Sequence, residues 1–219
     1  IHNHVVITGK CNIGKNNTFH SHSVIGGLSQ DLKYSKEPTY LEIGDSNNFR
    51  EFVTINRGTE PESKTVVGSN GNFLAYSHIA HDCIIGDKVI MANQATLGGH
   101  VQVDNFAVLG GLSAVHQFCR IGKLAMVGGL SAVENDVIPF GLAFGNRAKI
   151  TGVNIVGLKR ANYSKSDIRE YSNIVDKIFT GGTITSEKEK VENSNNDLIK
   201  ELLIFLDKSS SRGLCQYGK

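Results

Sequence analysis

The sequence predicts an all-β solenoid of hexapeptide repeats, a parallel β-helix, followed by a C-terminal helical domain. Three observations predict it. From Val67 to Ile138 an apolar residue opens every block of six without a break, from Val67, Phe73 and Ile79 to Ile121, Val127 and Val133. The fifth place of every block is small or slim, from Gly71 and Ser77 to Ser131 and Val137. After Pro139 the spacing changes to the threes and fours of a helix. Alternating strands repeat every second residue and helices every 3.6 or so, so neither generates sixes. A short fixed repeat is the mark of a solenoid, in which one coil leaves its apolar edge open and stacking makes the core.

The elements follow in order. Hexads open at Ile1, Ile7, Ile13, Phe19 and Ile25, and because Ile1 is already in register, earlier coils are expected before it. The pattern then fails and resumes at Ile43, Phe49 and Ile55, so residues 31–41, with Lys33, Lys36 and Pro38, read as a loop thrown out of the solenoid. A second interruption covers 57–65. Loops that leave a rigid repeat without disturbing its phase are places for function or tolerated insertions. Glycine recurs in second place (Gly68, Gly86, Gly98, Gly110, Gly122, Gly128), where a side chain would obstruct the chain or demand strained dihedrals. The division falls into 1–146, the solenoid, and 147–219, the helical domain, with 140–148 as linker. A helix is predicted over 167–179, with Ile168, Tyr171, Val175 and Ile178 on one face, starting after Ser164 and Ser166 and stopping at Gly181-Gly182. Residues 186–195 read as a loop or frayed end. A last helix is expected over 196–206 with Leu198, Leu202, Leu203 and Leu206 inward. Its simplest role is to cover an open strand edge.

The 219 residues carry a net charge of +2, too small to suggest nucleic acid. The first 146 residues hold 10 basic and 12 acidic side chains and the remainder 13 and 9, so the tail could receive an acidic partner. Cys11, Cys83 and Cys119 occupy small fifth positions, which favours packing over a disulfide or metal framework. No apolar run is long enough to cross a bilayer, and a cytoplasmic protein is expected.

Three hexads per turn would stack residues eighteen apart, about 4.8 Å from one another. His81, Gly99 and Gln117 then form one column and Asp82, His100 and Phe118 the next, with His78 and His116 beside them. Histidine beside a carboxylate suits general-base chemistry, because the imidazole titrates near neutrality and the carboxylate fixes its tautomer. His2, His4, His20 and His22 also stack, with no carboxylate in either hexad, and read as structural.

Several motifs carry a resemblance: Gln30-Asp31-Leu32-Lys33-Tyr34, His78-Ile79-Ala80-His81-Asp82-Cys83, Gly99-His100, Ala114-Val115-His116-Gln117-Phe118, Gly152-Val153-Asn154 and Gly157-Leu158-Lys159-Arg160. Together with the hexads, which alone would be generic, they resemble the UDP-N-acetylglucosamine O-acyltransferases over nearly the whole chain. The resemblance implies a left-handed coil, against the usual crossover hand, a homotrimer with active sites between subunits, and no cofactor or metal. It implies transfer of a 3-hydroxyacyl chain from acyl carrier protein to the 3-hydroxyl of UDP-N-acetylglucosamine, the first step of lipid A synthesis. By the same likeness His81 is the base, Asp82 orients it, and the Gly99 N–H meets the oxyanion. Asp31, on the Gln30 loop, would hold the sugar with His100 and Gln117. Lys33, His78 and His116 would line the cleft, Asn154 and Arg160 would meet nucleotide or acyl chain, and Gly129 would set acyl length.

Val156, Ala161 and Asn56 depart from the family pattern, in which an acid, a second arginine and a histidine are common. Three rival readings share the solenoid: the N-acyltransferase of the same pathway, a three-histidine zinc enzyme of the carbonic anhydrase type, and a solenoid that binds a partner without catalysis.

Overall fold

Strand pairing obeys the eighteen-residue spacing wherever the hexads are regular. In the computed structural model, which describes residues 1–181 and 183–218, His78 pairs with Thr96, Thr96 with Ala114 and Ala114 with Ala132, all parallel. The two loops lengthen a coil without breaking phase: Val24 pairs with Thr54 and Thr54 with His78. Among the described residues the strands form three sheets of seven, six and eight, the walls of a left-handed parallel β-helix. The first carries Ile25, Ile55, Ile79, Leu97, Val115 and Val133 inward, all at most 3 % exposed.

The hexad residues divide their duties as steric rules demand. First-place side chains fill the prism; Phe19, Phe49 and Phe73 stack there in parallel with ring centroids 5.0 and 4.8 Å apart. The fourth-place residue takes the left-handed conformation at every regular corner, including Asp82 (φ 58°), His100 (φ 60°) and Phe118 (φ 66°). That conformation costs roughly 1–3 kcal/mol for a side-chain-bearing residue and persists only where surroundings over-determine it. The second-place glycines from Gly68 onward do not share it: a Cβ on Gly98 would lie 2.8 Å from the Gln117 backbone nitrogen, and one on Gly110 2.4 Å from that of Gly129. Close approach of the next coil, rather than dihedral strain, is what requires glycine there.

The C-terminal part differs from expectation in three places. The stretch read as a linker contains a strand, Gly141–Phe144, which continues the third sheet and pairs antiparallel with Lys149–Val153, so strands of that sheet lie on both sides of residue 146. A short helix α1, Ile155–Arg160, follows, capped by the Asn154 side chain. Then comes α2, Lys165–Thr180, capped by Ser164, with Ile168, Tyr171, Val175 and Ile178 buried as its spacing predicts. The segment read as a loop is largely α3, Ile184–Val191, whose Thr183 cap and terminal charges outweigh its polar composition. In α4, Asp197–Asp207, the buried face is Leu198, Ile199, Leu202 and Phe205, with Leu203 and Leu206 half-buried. The expected stop signal at Gly181 is the cap of α2, and its companion Gly182 lies outside the described residues.

Buried contacts fasten these helices to the last coil. The Tyr171 hydroxyl donates to the Pro139 carbonyl, and its ring meets Phe140 edge to face at 5.3 Å. Arg120 donates through Nε to Asp136 at 2.7 Å and through Nη1 to the Phe205 carbonyl at 3.2 Å. Because Asp136 is fully buried, losing either partner strands a charge. Among the described residues no helix is long and apolar enough to cross a membrane.

Stability should track the aromatic ladder. Phe49→Ala removes a ring stacked on both faces and is expected to lose about 3–5 kcal/mol, read from the midpoint shift of urea unfolding; a loss below about 1 kcal/mol would show that the ladder is not part of the core.

Candidate active site

The corner between the first and second sheets gathers most of the residues singled out by the repeat arithmetic. His81 begins the turn after the strand His78–Ile79, and Asp82 completes it in the left-handed conformation, which swings its carboxylate back to the imidazole. His81 Nδ1 and Asp82 Oδ2 are 2.9 Å apart. Gly99 sits one coil above so closely that a Cβ there would lie 2.3 Å from His81 Cε1. The Gly99 N–H donates to no group among the described residues. His100 packs edge-on to His81 at 5.2 Å, places Nε2 3.8 Å from Asp82 Oδ2, and stacks on Phe118 at 4.6 Å. His78 lies beside them, its Nδ1 2.7 Å from Thr54 Oγ1.

Electrostatics set the charge states. Burial pushes the Asp82 carboxyl up, but the neighbouring side chains of Ser63, His81 and Thr59 and the His100 charge together outweigh it and hold its pKa below the ordinary value. The Ser63 hydroxyl approaches without a well-directed hydrogen bond. Since the folded pKa is depressed, Asp82 contributes stability that is present above its unfolded value and lost as pH falls through the folded one. Burial, then the charge of His81, pushes His78 down and keeps it neutral. Cys83 and Cys119 are pushed up to about 12, chiefly by burial, so no thiolate nucleophile stands here at neutral pH.

Asp31 reaches this corner from the first loop, with Oδ2 3.9 Å from His81 Nε2. Gln30 and Lys33 stand exposed on the same loop, where the Lys33 N–H donates to Asp31 Oδ1 at 2.9 Å. Gln117 continues the Gly99 column, and His116 precedes it; both are exposed. Three expected residues lie elsewhere. Asn154 and Arg160 line a largely apolar groove of about 830 Å³ on the outer face of the third sheet, together with Ile90, Val108 and Met126. Val156 and Ala161, the departures from the family pattern, line it too. Gly129 occupies the corner before the first sheet, next to Leu130, where a Cβ would meet the Gly111 carbonyl at 3.2 Å.

Two contributors were not legible from the repeat. Arg212, from the tail, donates through Nε to the Gln117 carbonyl at 2.8 Å and lies 2.7 Å from His116 Nδ1. Thr59, on the second loop, donates its N–H to Asp82 Oδ2 at 3.1 Å. The other histidines stack as expected, His2 on His20 and His4 on His22. The coil above alters the picture: Glu51 lies 3.5 Å from His20, and Phe52 and Tyr76 extend the second stack. That ladder runs up the corner between the third and first sheets.

His81, Asp82 and His100 offer ligand atoms within 4.8 Å of one another, the one such group among the described residues. The closest pair, His81 Nδ1 and Asp82 Oδ2, is spaced for a hydrogen bond, so the set is built for an imidazole with a fixed tautomer.

Residues 136–215 match the family described as Udp N-acetylglucosamine O-acyltransferase, Domain 2. A protein of Aliarcobacter butzleri named acyl-[acyl-carrier-protein]--UDP-N-acetylglucosamine O-acyltransferase is 45 % identical over 197 residues, 89 % of this chain and 76 % of that protein. One of the same name from Sinorhizobium fredii is 44 % identical, covering 96 % and 80 %. The crystal structure of a UDP-N-acetylglucosamine acyltransferase from Bacteroides fragilis superposes with a TM-score of 0.91 at 32 % identity, over 97 % of this chain and 84 % of that one.

The contact between Gly99 and the imidazole gives a direct test. Gly99→Ala should displace the His81 ring and lower activity by about 100-fold or more with an unchanged far-ultraviolet circular dichroism spectrum; retention of full activity would mean that the ring position is not critical.

Proposed function

This chain belongs to the UDP-N-acetylglucosamine O-acyltransferase family, and from that premise we propose how its histidine corner carries out the transfer. The enzyme is an acyltransferase whose donor is an acyl carrier protein thioester and whose acceptor is UDP-N-acetylglucosamine. The observation that carries the mechanism is the His81–Asp82 pair, with Nε2 turned toward Asp31 and Gly99. Asp82 accepts the Nδ1 proton, which leaves the Nε2 lone pair free for a substrate hydroxyl. His81 takes the proton of the sugar 3-hydroxyl as that oxygen attacks the thioester carbonyl of a 3-hydroxyacyl chain. The oxyanion is met by the unpartnered Gly99 N–H. Collapse breaks the carbon–sulfur bond, and the imidazolium returns its proton to the departing thiolate. This is the chemistry expected at the entry to lipid A synthesis. The names of the relatives favour oxygen over nitrogen as acceptor.

Asp31 would hold the sugar together with His100 and Gln117, while Lys33, His78 and His116 line the approach. Asn154 and Arg160, from the start and end of α1, line the groove on the outer face of the third sheet, away from the His81 corner. A site that uses both sets needs a second copy of the chain, which supports a homotrimer with catalytic clefts between subunits. The basic excess after residue 146 supports electrostatic docking of the acidic carrier protein.

Mass spectrometry of the product made from UDP-N-acetylglucosamine and a mixed pool of hydroxyacyl carrier proteins tests the reading. An O-linked hydroxyacyl product is expected, and His81→Ala should reduce its rate by about 10²–10⁴-fold. An amide product, or undiminished turnover by the variant, overturns the assignment. Because Asp82 stays ionised to lower pH than usual, the acid limb of kcat/KM belongs to an imidazole; a profile flat from about pH 5 to about pH 9 contradicts that. Added salt should raise KM for the carrier protein, and an unmoved KM speaks against electrostatic docking.

A further inference from the structure

The two loops that interrupt the solenoid are joined by backbone bonds, the Glu62 N–H to the Pro38 carbonyl at 2.9 Å and the Tyr40 N–H to the Ser63 carbonyl at 3.0 Å, and by a pair of hydroxyl groups that links Asp31 to Asp82. Ser29 Oγ, at the root of the first loop, and Thr59 Oγ1, on the second, are 2.6 Å apart. On one side Ser29 Oγ accepts the Asp31 N–H at 3.2 Å. On the other the Thr59 N–H donates to both Asp82 oxygens, at 3.1 and 3.3 Å. Asp82 in turn holds His81 Nδ1 at 2.9 Å, and Asp31 Oδ2 faces His81 Nε2 at 3.9 Å. The contacts form a ring running His81, Asp82, Thr59, Ser29, Asp31 and back to His81. Every link is within hydrogen-bond reach except the last.

The open link is the informative one. A separation of 3.9 Å is too long for a hydrogen bond, and it lies at the nitrogen lone pair that must receive the acceptor's proton. A sugar hydroxyl placed to one side of the line between them could reach both imidazole and carboxylate at hydrogen-bond distance. Thr59 is only 4 % exposed, whereas Leu32 and Lys33 at the loop tip are open to solvent, so the tie is fixed from the solenoid side.

We propose that Ser29 and Thr59 are positioning residues whose hydroxyl pair sets the distance between Asp31 and Asp82 across the His81 imidazole, so that the sugar-holding loop and the base act as one rigid unit. The proposal rests on the reading of His81 as base and Asp31 as sugar ligand given above. Neither hydroxyl touches the reacting atoms; each acts through a carboxylate.

A double-mutant cycle tests it. Ser29→Ala and Thr59→Val each delete one hydroxyl, and Thr59→Val keeps the N–H that holds Asp82. Each single variant should lower kcat/KM by about 5- to 15-fold, with KM for UDP-N-acetylglucosamine raised, KM for the acyl carrier protein thioester unchanged and the melting temperature within about 2 °C of the parent. The double variant should be no worse than either single one, because the same bond is lost. Ser29→Thr and Thr59→Ser should restore activity. Additive losses, or lowered melting temperatures with an unchanged sugar KM, overturn the proposal in favour of a structural role. Failure of the base assignment is separable: His81→Ala with full turnover would sink that reading, while the cycle on sugar KM would still report whether the two loops are coupled.

Discussion

Backbone hydrogen bonding from each coil to the one eighteen residues away is the constraint on which the rest of this protein depends. It is satisfied along three walls at once, for example by the His100 N–H donating to the His81 carbonyl and the Phe118 N–H to that of Gly99. Once those bonds are made, a side chain's vertical neighbour is decided by counting. First-place residues must share the interior, fourth-place residues must turn the corner with positive φ, and second-place residues must give way to the coil above. The core is therefore a set of ladders rather than a globule, and its energy accumulates coil by coil.

The active corner uses the same constraint in a different way. A left-handed residue at a regular corner is a local expense, tolerated here because strand bonds on both sides enforce it. At Asp82 that conformation turns the carboxylate toward its own neighbour, His81, and at Gly99 the absence of a side chain lets the next coil close over the ring. Repetition thus supplies rigidity, and departures from it supply chemistry. The two inserted loops add the groups that the walls cannot offer: a second carboxylate in front of the imidazole and a backbone donor behind the first one.

The appended helices solve the problem that a solenoid creates at its end. The antiparallel hairpin of Gly141–Phe144 and Lys149–Val153 turns the third sheet back on itself, and α2 and α4 bury Tyr171 and Phe205 against the last coil. The Arg120–Asp136 pair is the polar anchor of that junction, with the guanidinium spanning carboxylate, carbonyl and ring. The same tail returns to the site through Arg212, so closing the prism and furnishing the His116 side of the cleft are done by one segment.

The order of the hexads by itself determined the coil, its register and the approach of His81 to His100, because a period that equals one third of a turn converts sequence distance directly into height. Helix α2 was equally legible, since one amphipathic face and a serine cap are local properties. Helix α3 and the strand Gly141–Phe144 were not, because their formation depends on caps and sheet partners outside the segment. Only the tertiary structure decided that Asp31, Thr59 and Arg212 meet the histidine corner while Asn154 and Arg160 face the opposite groove. Loops and tails carry no period, so where they return to the solenoid is fixed by contacts in space, which no count along the chain contains.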